Sequence, residues 1–276
     1  MQSLIERCVS SLGDELVLLA PPRARVPRFF NNVCADSFRH DQLLREMQQL
    51  RGAVYLEEGN LQPHQLPADG RHQTPEDEKS WHLLMLAPSG AVRSCALYLL
   101  HDPDVRFRDL RLRKSPLVKD QKWGATLRTA VERELVRARR EGLGCSELGG
   151  WAIHKERRGT SEGLVMALAT YGLAQLLGGA LGVTTANVAH SCSSILQRLG
   201  GSPLEVDGEV IPPYFDHRYN TDIELLRFDS RRPNRRYAHL VEFAKARLAN
   251  VLVTTASSLE THYPTFAAYQ WSAAAV

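Results

Sequence analysis

Runs of hydrophobic positions, broken by polar and glycine-bearing stretches, divide this chain into short elements. A helix candidate over 4–12 precedes an apolar run at 15–20 (ELVLLA), which Pro21-Pro22 stops and which reads as a strand. Over 34–51, Phe38, Leu43, Leu44, Met47 and Leu50 recur at helical spacing, so that segment is an amphipathic helix with a core-facing stripe. WHLLMLA and AVRSCALYLLH flank Pro88-Ser89-Gly90 and predict a hairpin apolar enough to lie inside a sheet. A helix is predicted over 123–141, ended by Gly142 and Gly144, with Arg128, Glu132, Arg133, Arg137 and Arg140 on a solvated face.

Residues 147–201 repeat this alternation more densely. ELGGWAI reads as a strand, HKERRGTSEG as a basic turn with Ser161 as helix N-cap, and 164–183 as a helix too long and too rich in Ala and Leu for a strand. A second strand at 183–185 and a second helix at 190–199, stopped by Gly200-Gly201, follow. Residues 164–183 match a membrane span in length. Gln175, four glycines and the charged turn before them favour a core helix instead. Beyond 201, segments 204–211 and 222–229 predict a closing strand pair joined by PPYFDHRYNT, and 234–250 a polar amphipathic helix.

The fold class is therefore α/β: a mixed, twisted central sheet flanked by helices on both faces, with a right-handed parallel crossover at 147–187. One domain is expected over 1–230, with a helical N-terminal part at 1–52, then a C-terminal helix and loose tail at 231–276. Two long irregular stretches stand out. Residues 62–79 read as a functional lid or as disorder, and 102–122 are dense in arginine.

Composition narrows the function. A 43% hydrophobic content supports a sizeable core, and a net charge of +3 gives no global field for nucleic acid. The basic excess is local, at 106–113, 137–140, 157–158 and 231–236. The five scattered cysteines show no metal-ligand spacing and read as buried thiols, and residues 1–13 lack the basic start and apolar core of a signal peptide. A cytoplasmic protein with no metal and no transmembrane segment is expected.

A helix opening on RRGTSEG aims unpaired amides and the positive end of its dipole at one spot, beside Arg157 and Arg158. Such a spot binds phosphate, or is simply a solvated helix start. Here Arg158-Gly159-Thr160-Ser161-Glu162-Gly163 resembles the Arg/Gln-x-x-Gly-x-Gly/Ala pyrophosphate loop of GNAT acyltransferases, with Ser161 where the first motif glycine is usual. Residues 187–201 resemble the last conserved helix of that family, ending Leu199-Gly200-Gly201, but Leu196 stands where a general-acid Tyr is frequent. Within the family the likeness is nearest to autoinducer (acyl-homoserine lactone) synthases and N-acyl amino acid synthases. Their strand carries Glu followed by Ser-Arg-Phe, whereas Glu147-Leu148-Gly149-Gly150-Trp151 keeps the Glu and lacks the Ser-Arg. The resemblance spans about 45–228.

What the resemblance implies is a GNAT-like fold and an N-acyltransferase. It would move an acyl group, expected to be fatty, from an acyl carrier protein or coenzyme A thioester to the amine of an amino acid or related small molecule. The alternative is a non-catalytic acyl-thioester-binding or scaffold protein. The donor's pantetheine phosphate would lie on Arg157, Arg158, Gly159, Thr160, Ser161 and Gly163, and its carbonyl on backbone N–H groups near Trp151 and Ile153. Glu147 is the candidate proton acceptor, or a carboxylate paired to an Arg, and His154 a candidate relay or a bystander. Glu57, Glu58, His72, Asp77 and His82 lie where the resemblance implies acidic residues near the acceptor, or in an ordinary polar loop. The 106–113 stretch is a candidate docking site for an acidic carrier protein. No G-x-S-x-G elbow surrounds His190, Ser191 and Ser193, so a hydrolase is disfavoured. In a regular strand Glu147, Gly149, Trp151 and Ile153 would share a face; a bulge would break that phase.

Overall fold

A computed structural model describes Val9, residues 15–189 and residues 192–257. The helix candidate at 4–12, His190, Ser191 and the tail beyond 257 lie outside or almost outside these residues. Ten strands form the main sheet: β1 (Leu16–Leu19), β2 (Val33–Ala35), β3 (Trp81–Leu86), β4 (Val92–His101), β5 (Gly144–Ile153), β6 (Ala180–Asn187), β7 (Ser202–Pro203), β10 (Tyr214–Asp216), β11 (Thr221–Asp229) and β12 (Leu252–Thr255). A separate two-stranded ladder joins β8 (Glu205–Val206) to β9 (Glu209–Val210). The helices are α1 (Ser37–Glu57), α2 (Gly124–Arg140), α3 (Glu162–Leu176), α4 (Cys192–Leu199) and α5 (Ala238–Leu248).

The sheet runs β10-β11-β6-β5-β4-β3-β1-β12-β2, with β7 also on β11. It is mixed: β5–β6, β1–β12 and β12–β2 are parallel, the other pairs antiparallel. Helices cover both faces. On one side α3, α4 and α5 enclose the largest core cluster, with Met166, Leu168, Leu173, Leu199 and Leu248 fully buried. On the other, α1 packs Leu43, Met47 and Val54 against Cys95 and Ala152, and α2 packs Leu127, Val131 and Leu135 against Cys145 and Val183.

Several boundaries follow from capping. Asp36 accepts a hydrogen bond from Arg39 N–H and starts α1, leaving Cys34 on β2 rather than in the helix. α3 begins one residue after Ser161, whose side chain does not cap it; Thr160 Oγ1 takes the Glu162 N–H instead. α3 is apolar all round because it is sandwiched between the sheet and α5. Gly172 makes that approach possible, since a Cβ there would come within 2.9 Å of Lys245 N. The 164–183 run is thus a core helix, a Gly-Gly turn and a strand; among the described residues no helix is long and apolar enough to cross a membrane.

Two expectations are corrected. Residues 204–211 do not close the sheet but fold into the β8–β9 ladder; the connector PPYFDHRYNT supplies β10, which pairs with β11. The sheet also continues past residue 230, because β12 inserts between β1 and β2 and α5 packs on α3. Where β11 crosses β6, the Phe228 ring occupies the space above Gly182, within 1.8 Å of where a Cβ would sit. Gly182→Ala is expected to destabilise by about 1–3 kcal/mol through overpacking, read as a lowered Tm in a thermal melt.

Candidate functional site

β5 and β6 pair in parallel only from Gly144↔Ala180 to Leu148↔Thr184. β5 continues to Ile153 against β4 alone, so the strands part and the β6-facing backbone of residues 149–153 has no ladder partner. A cavity of about 230 Å³ opens at this parting. Glu147, Leu148, Val183, Thr184 and Thr185 form its floor; residues 72–76, then Arg111, Leu112, Lys114 and Ser115, and the β10–β11 turn, with Asp216, Arg218 and Tyr219, close over it.

Along β5 the register places Gly149 opposite Leu97 but Ala152 opposite Cys95, so β5 carries an extra residue at Gly150-Trp151. Gly150 takes the left-handed conformation (φ 59°) that such a bulge uses and that a glycine adopts without steric cost. Glu147, Gly149 and Ala152 consequently share the α1–α2 side, while Trp151 and Ile153 turn to the α3 side. There they lie 3.6 and 3.3 Å from a Cβ built on Gly163. The regular-strand phase is therefore broken.

Glu147 is buried, and its carboxylate collects three hydrogen bonds. Arg111 N–H donates to Oε2 at 2.7 Å, Leu112 N–H to Oε1 at 2.9 Å, and His101 Nε2 lies 2.9 Å from Oε2. These contacts anchor the 102–122 stretch, which is not a plain loop. Three short 3₁₀ turns bury Phe107, Leu110, Leu112 and Leu117 against α2 and leave Arg106, Arg108 and Arg113 exposed. Arg111 alone among these arginines lines the cavity, its guanidinium lying over Gly149, where a Cβ would come within 2.6 Å of Nη1.

The 62–79 stretch is tied down by a second buried charge. Asp77 takes Arg51 Nη2 at 2.7 Å and Nη1 at 3.0 Å, with further donors in Gln48 Nε2 and in the Thr74 amide and hydroxyl. Arg51 also donates to His72 C=O, and a Cβ on Gly150 would come 3.0 Å from its Nη1. Burial would raise the Asp77 carboxyl, but the hydrogen bond and charge of Arg51 outweigh it and hold it at about 2. Burial, reinforced by the Arg51 charge, lowers His72 to about 4; burial also brings His82 to about 4, although its bond to Asp77 C=O opposes this. His72 stacks edge-on with Tyr55 and Tyr219, and His72 and Tyr219 line one wall of the cavity.

The donor-loop candidates form a separate group on the α3 side. Glu162, buried at the first turn of α3, accepts from Ser94 Oγ at 2.7 Å, Arg157 Nε at 2.7 Å and Arg93 Nε at 3.3 Å. Arg158 bonds Ile153 C=O at 3.2 Å and Glu57 Oε2 at 3.0 Å, with Glu58 at 3.6 Å. Gly159, with φ 72°, turns the chain into α3, and Gly163 lets the helix start pack on Trp151 and Ile153. Both arginines thus already face carboxylates of the chain. His154 lies beyond the strand end, half exposed and about 20 Å along β5 from Glu147, and does not line the cavity. Leu196 fills the core on the α3 side, where a Tyr hydroxyl would need a partner.

The structure therefore joins Glu147 and His72 in one cavity, with Asp77 and His82 as the buried support of its wall, and sets the 157–163 loop apart from them. The sequence reading missed Arg111, Thr184, Arg218 and Tyr219 as cavity residues. Only the density of arginine at 106–113 signalled the first, and no periodicity signals the others. Among the described residues, no group of three or more His, Cys, Asp and Glu is placed to hold a metal.

No protein-family model matches the chain, and no curated protein matches it in sequence. Solved structures do. The CoA-dependent acyl-homoserine lactone synthase BjaI, with SAM and isopentyl-CoA, superposes with a TM-score of 0.51 at 13% identity, over 89% of this chain and 95% of that one. TofI in a ternary complex with an inhibitor and MTA gives 0.50 at 13% identity, over 84% and 99%. The chain has the GNAT-like fold in the form these synthases adopt, as the resemblance implied.

Two stability results are expected. Between about pH 4 and 6.5 the unfolded chain binds protons at His72 and His82 that the folded chain does not, so stability rises with pH and is lost on acidification. Each histidine contributes a slope of up to about 1.4 kcal/mol per pH unit in a denaturant titration. Asp77→Asn leaves Arg51 uncompensated and is expected to cost about 3–5 kcal/mol in the same measurement.

Proposed function

We propose that the protein is an N-acyltransferase. It moves an acyl group, expected to be fatty, from a carrier-protein or coenzyme A thioester to the amine of a small acceptor such as an amino acid. The observation that carries this reading is the cavity at the parting of β5 and β6, where an open strand edge meets a buried carboxylate. An extended pantetheine arm can add to that edge through main-chain hydrogen bonds, as a strand would. Its phosphate would lie at the start of α3, where Arg158, more exposed than Glu162, exchanges Glu57 for the phosphate. The Trp151 indole N–H, buried without an acceptor among the described residues, would donate to the arm or the thioester carbonyl.

The cavity holds the acceptor. At about 230 Å³ it is smaller than the roughly 300–1,000 Å³ usual for drug-sized ligands, which favours a compact amine. Among the carboxylates lining it, Glu76 is paired to Lys114 at 2.7 Å and Asp216 to Arg218 at 3.0 Å. Glu147 has no Lys or Arg side chain on it, which makes it the group to receive the amine proton. As the amine nitrogen bonds the carbonyl carbon and the C–S bond breaks, the thiolate leaves and the nitrogen's proton passes to Glu147, next to His101.

The test is amine-dependent release of free thiol from an acyl thioester. Thiol released at the same rate with and without amines would favour the alternative of an acyl-binding protein. Glu147→Gln is expected to lose about a hundredfold in kcat at neutral pH, with the deficit shrinking as pH rises and the amine deprotonates unaided. Because Glu147 also anchors residues 111–112, Tm is measured in parallel. A deficit independent of pH would reduce Glu147 to positioning alone.

A further inference from the structure

We propose that His101 is the outlet for the amine's proton: it takes that proton from Glu147 and releases one to water outside the cavity. This rests on the acyl-transfer reading and adds a residue to it. Glu147 must shed the proton before it can serve again, and it is buried. An acceptor or product held in a cavity of about 230 Å³ stands between the carboxylate and water on that side. The three groups bonded to Glu147 differ in what they can do. The Arg111 and Leu112 amides only donate. The His101 imidazole, with Nε2 at 2.9 Å, can also accept.

Strand order puts this partner where an outlet is needed. The sheet runs β6-β5-β4, so the cavity at the parting of β5 and β6 lies to one side of Glu147 and His101 to the other. On β4, His101 pairs with Cys145 and Leu99 pairs with Glu147, which makes His101 and Glu147 diagonal neighbours on one face, within reach of long side chains. His101 does not line the cavity, and 11% of its side chain is exposed, next to exposed Asp102 and Pro103. His40, His72 and His82 each bury an Nδ1 without a partner; His101 is not among them. The Cys145 thiol beside it stays protonated, because burial pushes it up to about 12, and so does not compete for the proton. The step balances. The nitrogen's proton goes to Glu147 and from there to Nε2, and the Nδ1 proton passes to water, which restores the carboxylate and leaves a neutral imidazole. Exchange with the same water returns the ring to its starting tautomer.

The experiment measures amine-dependent thiol release by wild type, His101→Gln and His101→Ala, with Tm followed in parallel. Gln keeps an N–H for Glu147 but carries no proton, so it separates relay from hydrogen bonding. His101→Gln is expected to lose on the order of tenfold in kcat, with KM for donor and amine unchanged. The loss is smaller than in Glu147→Gln because the proton can still leave slowly through the cavity. His101→Ala should lose as much and regain activity with added imidazole, the gain across a series of substituted imidazoles following their basicity. Wild-type kcat in His101→Gln, or a rescue of His101→Ala that is absent or indifferent to basicity, overturns the relay and leaves acyl transfer standing. Should His101→Ala not fold, the split between kcat and KM in His101→Gln decides. If wild type releases no thiol in response to any amine, acyl transfer fails and the relay falls with it.

Discussion

A carboxylate buried in a sheet must find donors, and Glu147 finds them in the backbone of another segment. Two amides and an imidazole converge on it, so the stretch between β4 and α2 is drawn onto the sheet at residues 111–112. Without that contact the hydrophobic residues of the three 3₁₀ turns would still favour α2, but nothing would fix where the turns end over the strand. One interaction thereby sets the roof of the cavity and the direction of Arg111. It also shows why a residue can be read from sequence as a proton acceptor and be found in the structure as an anchor first: both roles need a carboxylate held away from water.

The same logic operates on the other wall. Asp77, with Arg51 as its counter-ion, gathers the 72–79 segment onto α1, and the Arg51 side chain reaches the bulge of β5. Two guanidiniums thus stand beside two adjacent glycines, Arg111 at Gly149 and Arg51 at Gly150.

How much of this was legible depends on the range of the interaction that decides it. The helices at 37–57 and 124–140, the β3–β4 hairpin and the β5–α3–β6 unit could be read from periodicity, glycine stops and capping residues, all of which act within a few residues. The bulge at Gly150-Trp151 could be allowed for but not placed, because a Gly-Gly pair is compatible with a strand, a bulge or a turn, and the pairing with β4 selects among them. Residues 204–211 were misassigned for a related reason. Glu205-Val206 and Glu209-Val210 pair with each other across Asp207-Gly208, while Ser202-Pro203 just before them takes the place beside β11, a division that hydrophobic pattern alone does not resolve.

The sequence by itself determined the main helices, the β3–β4 hairpin, the apolar core helix and the parallel crossover that the Glu147 strand opens. These follow from local propensity and from the burial demanded by each hydrophobic stripe. Only the tertiary structure decided that Glu147 binds amides 35 and 36 residues away, that Asp77 closes on Arg51, that β12 enters the sheet, and that the Arg111 guanidinium lies over Gly149 at the cavity. The physical reason is that charge pairing is set by distance in space. Chain order does not record which of many arginines will meet which acid.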